Sequence, residues 1–308
     1  MDNQQTTSIN DNYVAGLIDS DFGVFMTSNT YKGKLNIRPV INFVNTRFVL
    51  VDVLSEYLKN CDINHFVQVS EATVSRDTKR IIIGRLGKCI DFVDKFSSLS
   101  IVRRKQLLLL REFCDTRVDY VANYGWKFNN TPYTQRQKDI VEEVRLLNLN
   151  YNRDDGFRNK TPSWFAGIID GDGSIYFSDT HRTCRYKNTE YRYRKIIPWL
   201  KITTESHTAL NNIIEFYEEK GIRYYIDKVR GKLSKDISKD SYKYHYSIVV
   251  KEFDPLLYML DYVGDMLVAK KEQCNLVREY IYKKKVDKHY TDACFGLVEK
   301  VKYLNNNY

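Results

Sequence analysis

The chain has no run of eighteen apolar residues, no Cys-x-x-Cys pair and no glycine-rich phosphate loop, and it holds only five prolines in 308 residues. Each absence removes a class of protein. Without a long apolar run there is no transmembrane helix to expect, and so no membrane partner. The six cysteines, at 61, 89, 114, 184, 274 and 294, share no zinc-ligand spacing with the five histidines, so they read as reduced thiols. The missing Walker-type loop and dinucleotide fingerprint argue against ATP and NAD. Met1 to Asn12 is polar, with neither the apolar stretch of a secretory signal nor the arginines of a transit peptide. The product is thus expected to act where it is translated, unless a targeting segment is missing.

What is abundant points elsewhere. Lys and Arg number 48 against 39 acids, a net charge of +9 that favours an anionic partner. Twenty-four tyrosines, many Asn, Lys and Ile and little proline fit AT-rich coding DNA of the organellar kind. The expected location is an organelle, mitochondrion or chloroplast, and otherwise intracellular.

Two stretches organise the rest: Val14-Ala-Gly-Leu-Ile-Asp-Ser-Asp-Phe-Gly23 and Phe165-Ala-Gly-Ile-Ile-Asp-Gly-Asp-Gly-Ser174, which are one pattern written twice, 151 residues apart. Each reads as a short helix with a small face, Ala15 and Gly16 in one and Ala166 and Gly167 in the other. Glycine costs a helix about 1 kcal/mol relative to alanine, so its recurrence implies a close backbone approach, most simply of one copy to the other about a pseudo-twofold axis. Each helix ends on two acids, Asp19 and Asp21, then Asp170 and Asp172. Carboxylates at a helix C-terminus oppose the macrodipole. Two such ends side by side crowd like charges, which divalent cations such as Mg²⁺ would relieve. A calcium loop does not fit, because its sixth and twelfth positions would be Val24 and Thr30, or Ile175 and His181, instead of Gly and Glu.

The chain between the motifs repeats as well. Val24 to Asn45 reads as a hairpin broken at Tyr31 to Lys34, and Phe48 to Asn60 as an amphipathic helix. A second hairpin spans Phe66 to Val69 and Arg80 to Arg85, and two further helices fit Cys89 to Phe96 and Val102 to Cys114. Leu54, Tyr57, Ile63 and Phe66 recur as Ile213, Phe216, Ile222 and Tyr225, an offset of 159, and Arg111-Glu-Phe113 recurs as Arg278-Glu-Tyr280, an offset of 167. Even Tyr133 to Asn148 has a counterpart in Tyr290 to Asn305. The fold expected is α+β, a tandem duplication of αββαββα lobes. Each lobe is a four-stranded antiparallel sheet backed by helices, and the two motif helices join them. The boundaries are residues 1–120 for the first lobe, 121–160 for a linker with one helix, and 161–308 for the second lobe. Thr161-Pro162 opens the second motif helix as cap and first turn.

The growing offsets place insertions in the second lobe at Asp179 to Ile197 and near Arg230 to Tyr244. The first is a basic, aromatic hairpin with Arg182, Arg185, Lys187, Arg192 and Arg194. Alternation puts Arg192 and Arg194 on one face and Tyr191, Tyr193 and Lys195 on the other. A two-stranded ribbon fits a DNA major groove, where Arg pairs with guanine. The same residues also suit a solvated edge strand that resists aggregation. Lys228, Arg230 and Lys232 add a second basic segment suited to phosphates. The first lobe offers Lys32, Lys34, Asn36, Arg38, Arg76, Arg80 and Arg85, a more polar set, so an asymmetric duplex target is expected.

The doubled motif resembles the LAGLIDADG homing endonucleases, in the single-chain, pseudosymmetric branch. The second copy matches closely, and the first departs at Phe22, where the family has the glycine that Gly173 supplies in the second. The resemblance implies a monomeric, intron-encoded endonuclease that uses Mg²⁺ to hydrolyse both strands of a long double-stranded DNA site. Asp21 and Asp172 would be the metal-binding catalytic acids, with the carbonyls of Ser20 and Gly171 as further ligands. Asp19 and Asp170 would buttress the helix ends. Basic residues before the last lobe helix correspond to Arg103 and Arg104, and to Lys270 and Lys271, with Arg103 and Lys270 as the catalytic candidates. Asn45 and Thr204, at the ends of matching strands, are candidates for positioning water. Two alternatives share the scaffold: a maturase that binds host intron RNA, and a nicking or DNA-binding relic.

Overall fold

The computed structural model describes residues 9–31, 34–71, 76–124, 133–149, 156–186, 189–230, 244–287 and 290–307. Its first lobe runs α1 (Asp11–Asp21), β1 (Phe22–Tyr31), β2 (Lys34–Asn45), α2 (Phe48–Asn60), β3 (Phe66–Ser70), β4 (Thr78–Ile83), α3 (Leu86–Phe96), α4 (Arg104–Tyr124) and α5 (Gln135–Leu149). The second repeats the order as α6 (Pro162–Asp172), β5 (Gly173–Tyr186), β6 (Thr189–Thr204), α7 (His207–Glu219), β7 (Tyr225–Arg230), β8 (Tyr244–Val250), α8 (Phe253–Val263), α9 (Lys271–Asp287) and α10 (Asp292–Asn307). A 3₁₀ turn, Gly264–Met266, follows α8.

Both sheets are antiparallel, ordered β1-β2-β4-β3 and β5-β6-β8-β7. Side-chain alternation sorts their faces. Phe22 stands opposite Phe43 and Ile41 opposite Ile83, all four buried under helices. In the second lobe Ile175 opposes Leu200, which opposes Val250, again buried. The alternate residues form an open face on each sheet. In the first lobe it carries Phe25, Asn36, Arg38, Asn42, Val44, Phe66 and Arg80. In the second it carries Tyr176, Arg182, Tyr193, Lys195, Trp199 and Lys201.

Helices α1 and α6 form the seam between lobes. Asn10 caps α1 through its side-chain oxygen, which accepts from the Tyr13 amide, and Thr161 caps α6 in the same way from Trp164. A Cβ on Gly16 would lie 2.2 Å from the Trp164 carbonyl oxygen, and one on Gly167 would lie 2.2 Å from that of Tyr13. Each obstacle is backbone and cannot swing aside. The helices therefore meet at the two glycines, whose Cα atoms come within contact distance of each other's missing Cβ. One continuous core crosses this seam, from Leu54 and Phe92 in the first lobe to Ile213 and Leu260 in the second.

Two differences from the sequence reading concern the helices that end each lobe, of which there are three. Helix α4 continues to Tyr124, ten residues past Cys114. Arg111 and Asp115 make an ion pair along its surface where the extension begins. Helix α5, expected in a linker, packs on the first lobe: Asn148 donates to the Val24 carbonyl (2.8 Å), and the Ile37 amide donates to the Tyr133 hydroxyl (2.8 Å). Helix α10 repeats both contacts through Asn305 to Ile175 (2.9 Å) and Ile196 to Tyr290 (3.2 Å).

Candidate active site

Both motif helices end at the seam, and their four acids divide into two kinds. Asp19 and Asp170 are buried and fully engaged. Asp19 accepts from the Ser100 hydroxyl (2.5 Å), the amides of Ile101 and Val102 (both 2.9 Å) and Arg103 (3.3 Å), and the Trp164 indole (2.9 Å). Burial pushes its pKa up, against these hydrogen bonds. Asp170 accepts from the Tyr13 hydroxyl (2.6 Å) and the amides of Val268 (2.7 Å) and Lys270 (2.9 Å). Each acid therefore ties its motif helix to the loop that starts α4 or α9 in its own lobe, and each takes one donor from the other lobe. Tyr13 and Trp164 are themselves 151 residues apart. That offset was a signal for this pair, and the motif reading passed over it.

Asp21 and Asp172 are only partly buried, and they face the seam. A Cβ on Gly171 would lie 2.1 Å from the Ser20 hydroxyl oxygen and 3.1 Å from Asp21 Oδ2. The two helix ends are thus as close as a glycine allows. Burial, and then the charge of Asp21, push the Asp172 pKa up to about 7. Burial also raises Asp21, against Lys270 and a hydrogen bond from Asn45 Nδ2 to its Oδ2 (2.9 Å). Thr204, the counterpart of Asn45, accepts from the Ser206 amide (3.0 Å), as Asn45 Oδ1 does from that of Arg47 (2.8 Å).

Lys270 is buried, and its ammonium donates to the carbonyls of Ile169 (2.7 Å) and Asp170 (2.5 Å), at the negative end of α6. Desolvation lowers its pKa to about 8, with Asp170, Asp21 and Asp172 opposing the shift. Arg103 holds the matching position in the first lobe; it is buried, donates to Asn148 (3.4 Å), and its charge acts on Asp172. Phe22 leaves the helix end undisturbed. Its backbone is extended (φ −79°, ψ 140°), like that of Gly173 (φ −86°, ψ 164°), and its ring packs on Phe43 and Phe92.

The chain is similar over nearly its whole length to several solved structures. I-SmaMI bound to uncleaved DNA with calcium ions matches with a TM-score of 0.65 and 13% identity, over 97% of this chain and 100% of that one. I-GzeII, described as a LAGLIDADG homing endonuclease in complex with its DNA target, gives 0.63 and 12%, over 96% and 97%. I-CpaMI, a LAGLIDADG meganuclease bound to uncleaved DNA, gives 0.61 and 12%, over 96% and 99%. The chain has the two-lobe LAGLIDADG homing-endonuclease fold. No protein-family model matches the sequence, and comparison with curated proteins finds no match.

In this LAGLIDADG fold the basic residues singled out from the sequence scatter. Asn36, Arg38, Arg80 and Arg182 lie on the open faces. Arg185, Arg192 and Arg194 alternate onto the opposite, helix-backed side. There Arg194 is bound to Asp179 (2.7 and 2.9 Å) and stacks on Phe295, and Lys302 adds a second bond to Asp179 (2.8 Å). These bonds hold Asp179 far below the usual carboxylate range. Lys228 sits over the Tyr246 ring, also away from the open face. Arg76 donates to the Asn306 carbonyl (3.0 Å), and Arg85 flanks the start of α3. Lys34 opens β2 and Arg230 closes β7, while Lys32, Lys187 and Lys232 lie outside the described residues. The open face of the second lobe has residues that the sequence reading did not single out: Tyr176, Trp199 and Tyr225, with the Lys251 ammonium 3.7 Å from the Tyr225 ring centre.

Proposed function

We propose that the chain is a site-specific double-stranded DNA endonuclease with one half-site at each motif end. The observation that carries this reading is the pair of opposed, half-buried carboxylates, Asp21 and Asp172, set between two open sheet faces. Their chemistry fits a hard divalent cation such as Mg²⁺. The donors are oxygens, two carboxylates with the carbonyls of Ser20 and Gly171 beside them, and no cluster of three His, Cys, Asp or Glu suited to a metal occurs among the described residues. Such a set leaves coordination positions for water and phosphate oxygens. Bound there, the ion would lower the pKa of water and stabilise charge on the scissile phosphate.

The protein's own groups supply position and field. Asp19 and Asp170 hold the motif helices against the loops that carry Arg103 and Lys270, so two cations stand beside the carboxylates that polarise the site. The open faces would lie along the major groove, with Arg38, Arg80 and Arg182 placed for base edges, and Phe25, Phe66 and Trp199 for thymine methyl groups. Because the two faces differ in chemistry, the target is asymmetric, and each lobe spans on the order of one helical turn, about 10 base pairs.

The test is selection from a randomised duplex library with Mg²⁺, followed by cleavage of the enriched site in a plasmid. Linear product that EDTA abolishes supports the reading. Binding without cleavage in Mg²⁺ or Mn²⁺ would contradict it.

A further inference from the structure

The two half-sites are built differently, and the difference lies at the ends of matching strands. Next to Asp172 a cleft of about 470 Å³ runs between the lobes, lined by Asp172, Arg103, Thr204, Glu205 and His245. His245 Nδ1 stands 3.4 Å from Glu205 Oε1. A proton on Nδ1 directed at that carboxylate leaves Nε2 as the basic nitrogen. The imidazole lies on the open face of the second sheet, at the start of β8 beside the end of β6.

At the matching strand positions of the first lobe there is no imidazole. Thr46, Arg47 and Thr78 stand where the second lobe has Glu205, Ser206 and His245. Arg47 reaches across the seam and donates to the Ala269 carbonyl (3.0 Å). One half-site thus pairs a carboxylate with an imidazole and an open volume, whereas its partner is spanned by a guanidinium.

We propose that His245, oriented by Glu205, takes the proton of the attacking water in the Asp172 half-site, and that this strand is cleaved first. The inference rests on the endonuclease reading above. In the step, the water oxygen forms its bond to phosphorus as one P–O ester bond breaks. The water proton passes to His245, and the ester oxygen leaves with the bonding pair and takes a proton from solvent. At the other half-site Thr46 and Thr78 occupy the matching positions, and neither hydroxyl is a base for this transfer, so that strand is cut second.

The experiment labels each strand of the selected duplex separately and follows both in single turnover, for the unchanged protein, His245→Ala and Glu205→Gln. The account expects one strand to lead in the unchanged protein. It expects His245→Ala to slow that strand at least about 10-fold, to leave the other within twofold, and to convert supercoiled plasmid to nicked circle before linear. Added imidazole should restore the slowed strand in His245→Ala. Glu205→Gln should slow the same strand by a smaller factor. Target affinity measured in Ca²⁺ should stay within twofold for both variants. Equal rates on both strands in the unchanged protein, equal slowing of both in His245→Ala, or no response to imidazole would each overturn the assignment while leaving the endonuclease intact. Failure of the unchanged protein to cleave would overturn both readings.

Discussion

Asp172 combines the least favourable environment with the central role. Its pKa near 7 means that between roughly pH 4 and pH 7 the folded chain keeps a proton that the unfolded chain has released. Metal-free stability must therefore fall as pH rises through that window. Thermal melts in EDTA at successive pH values check this, and Asp172→Asn should flatten the slope and raise the melting temperature at pH 7.5 by a few degrees. The same substitution should lower cleavage at least about 10²-fold, because several kcal/mol of charge stabilisation is lost, with target binding kept. Parallel loss of binding would make the acid structural. Asp19 predicts the opposite balance. Asp19→Ala would strand the amides of Ile101 and Val102 and the Trp164 indole, at a cost of roughly 3–5 kcal/mol measurable by urea unfolding.

Among the elements, the motif helices are fixed by absence of side chain. Gly16→Ala or Gly167→Ala would drive a methyl into a carbonyl oxygen at 2.2 Å, and should cost about 3 kcal/mol or more, read as loss of soluble protein or a large fall in denaturation midpoint. Gly87, with nothing within 4 Å of its would-be Cβ, is the control and should tolerate alanine. These elements were legible in the sequence because a doubled motif reports both a helix and its partner. Periodicity was enough for α2 and for both hairpins as well. It was not enough for the far end of α4, which continues ten residues past Cys114. Nor could it orient the long β5–β6 ribbon. Alternation separated Arg192 and Arg194 from Tyr193 and Lys195, but only the buried register of Ile196 and Leu200 decides which set faces the open side. The contact of Arg47 with Ala269 was beyond reach because it crosses between lobes, and that of His245 with Glu205 because it joins strand ends 40 residues apart; nothing local to their sequence marks either.

For the whole molecule, the single core across α1 and α6 makes the lobes one folding unit in spite of their duplication. Unfolding monitored by tryptophan fluorescence and by circular dichroism should give coincident transitions, and either half expressed alone should lack a cooperative one. Two lobes with unlike open faces should also protect an asymmetric footprint. The reading is tested most directly by cleavage of the selected duplex in a plasmid with Mg²⁺, by the unchanged protein, Asp21→Asn and Asp172→Asn. The account predicts linear DNA from the unchanged protein only when Mg²⁺ is present, and no linear product from either variant despite intact binding. Linear product from both variants, or cleavage that persists in EDTA, would contradict it.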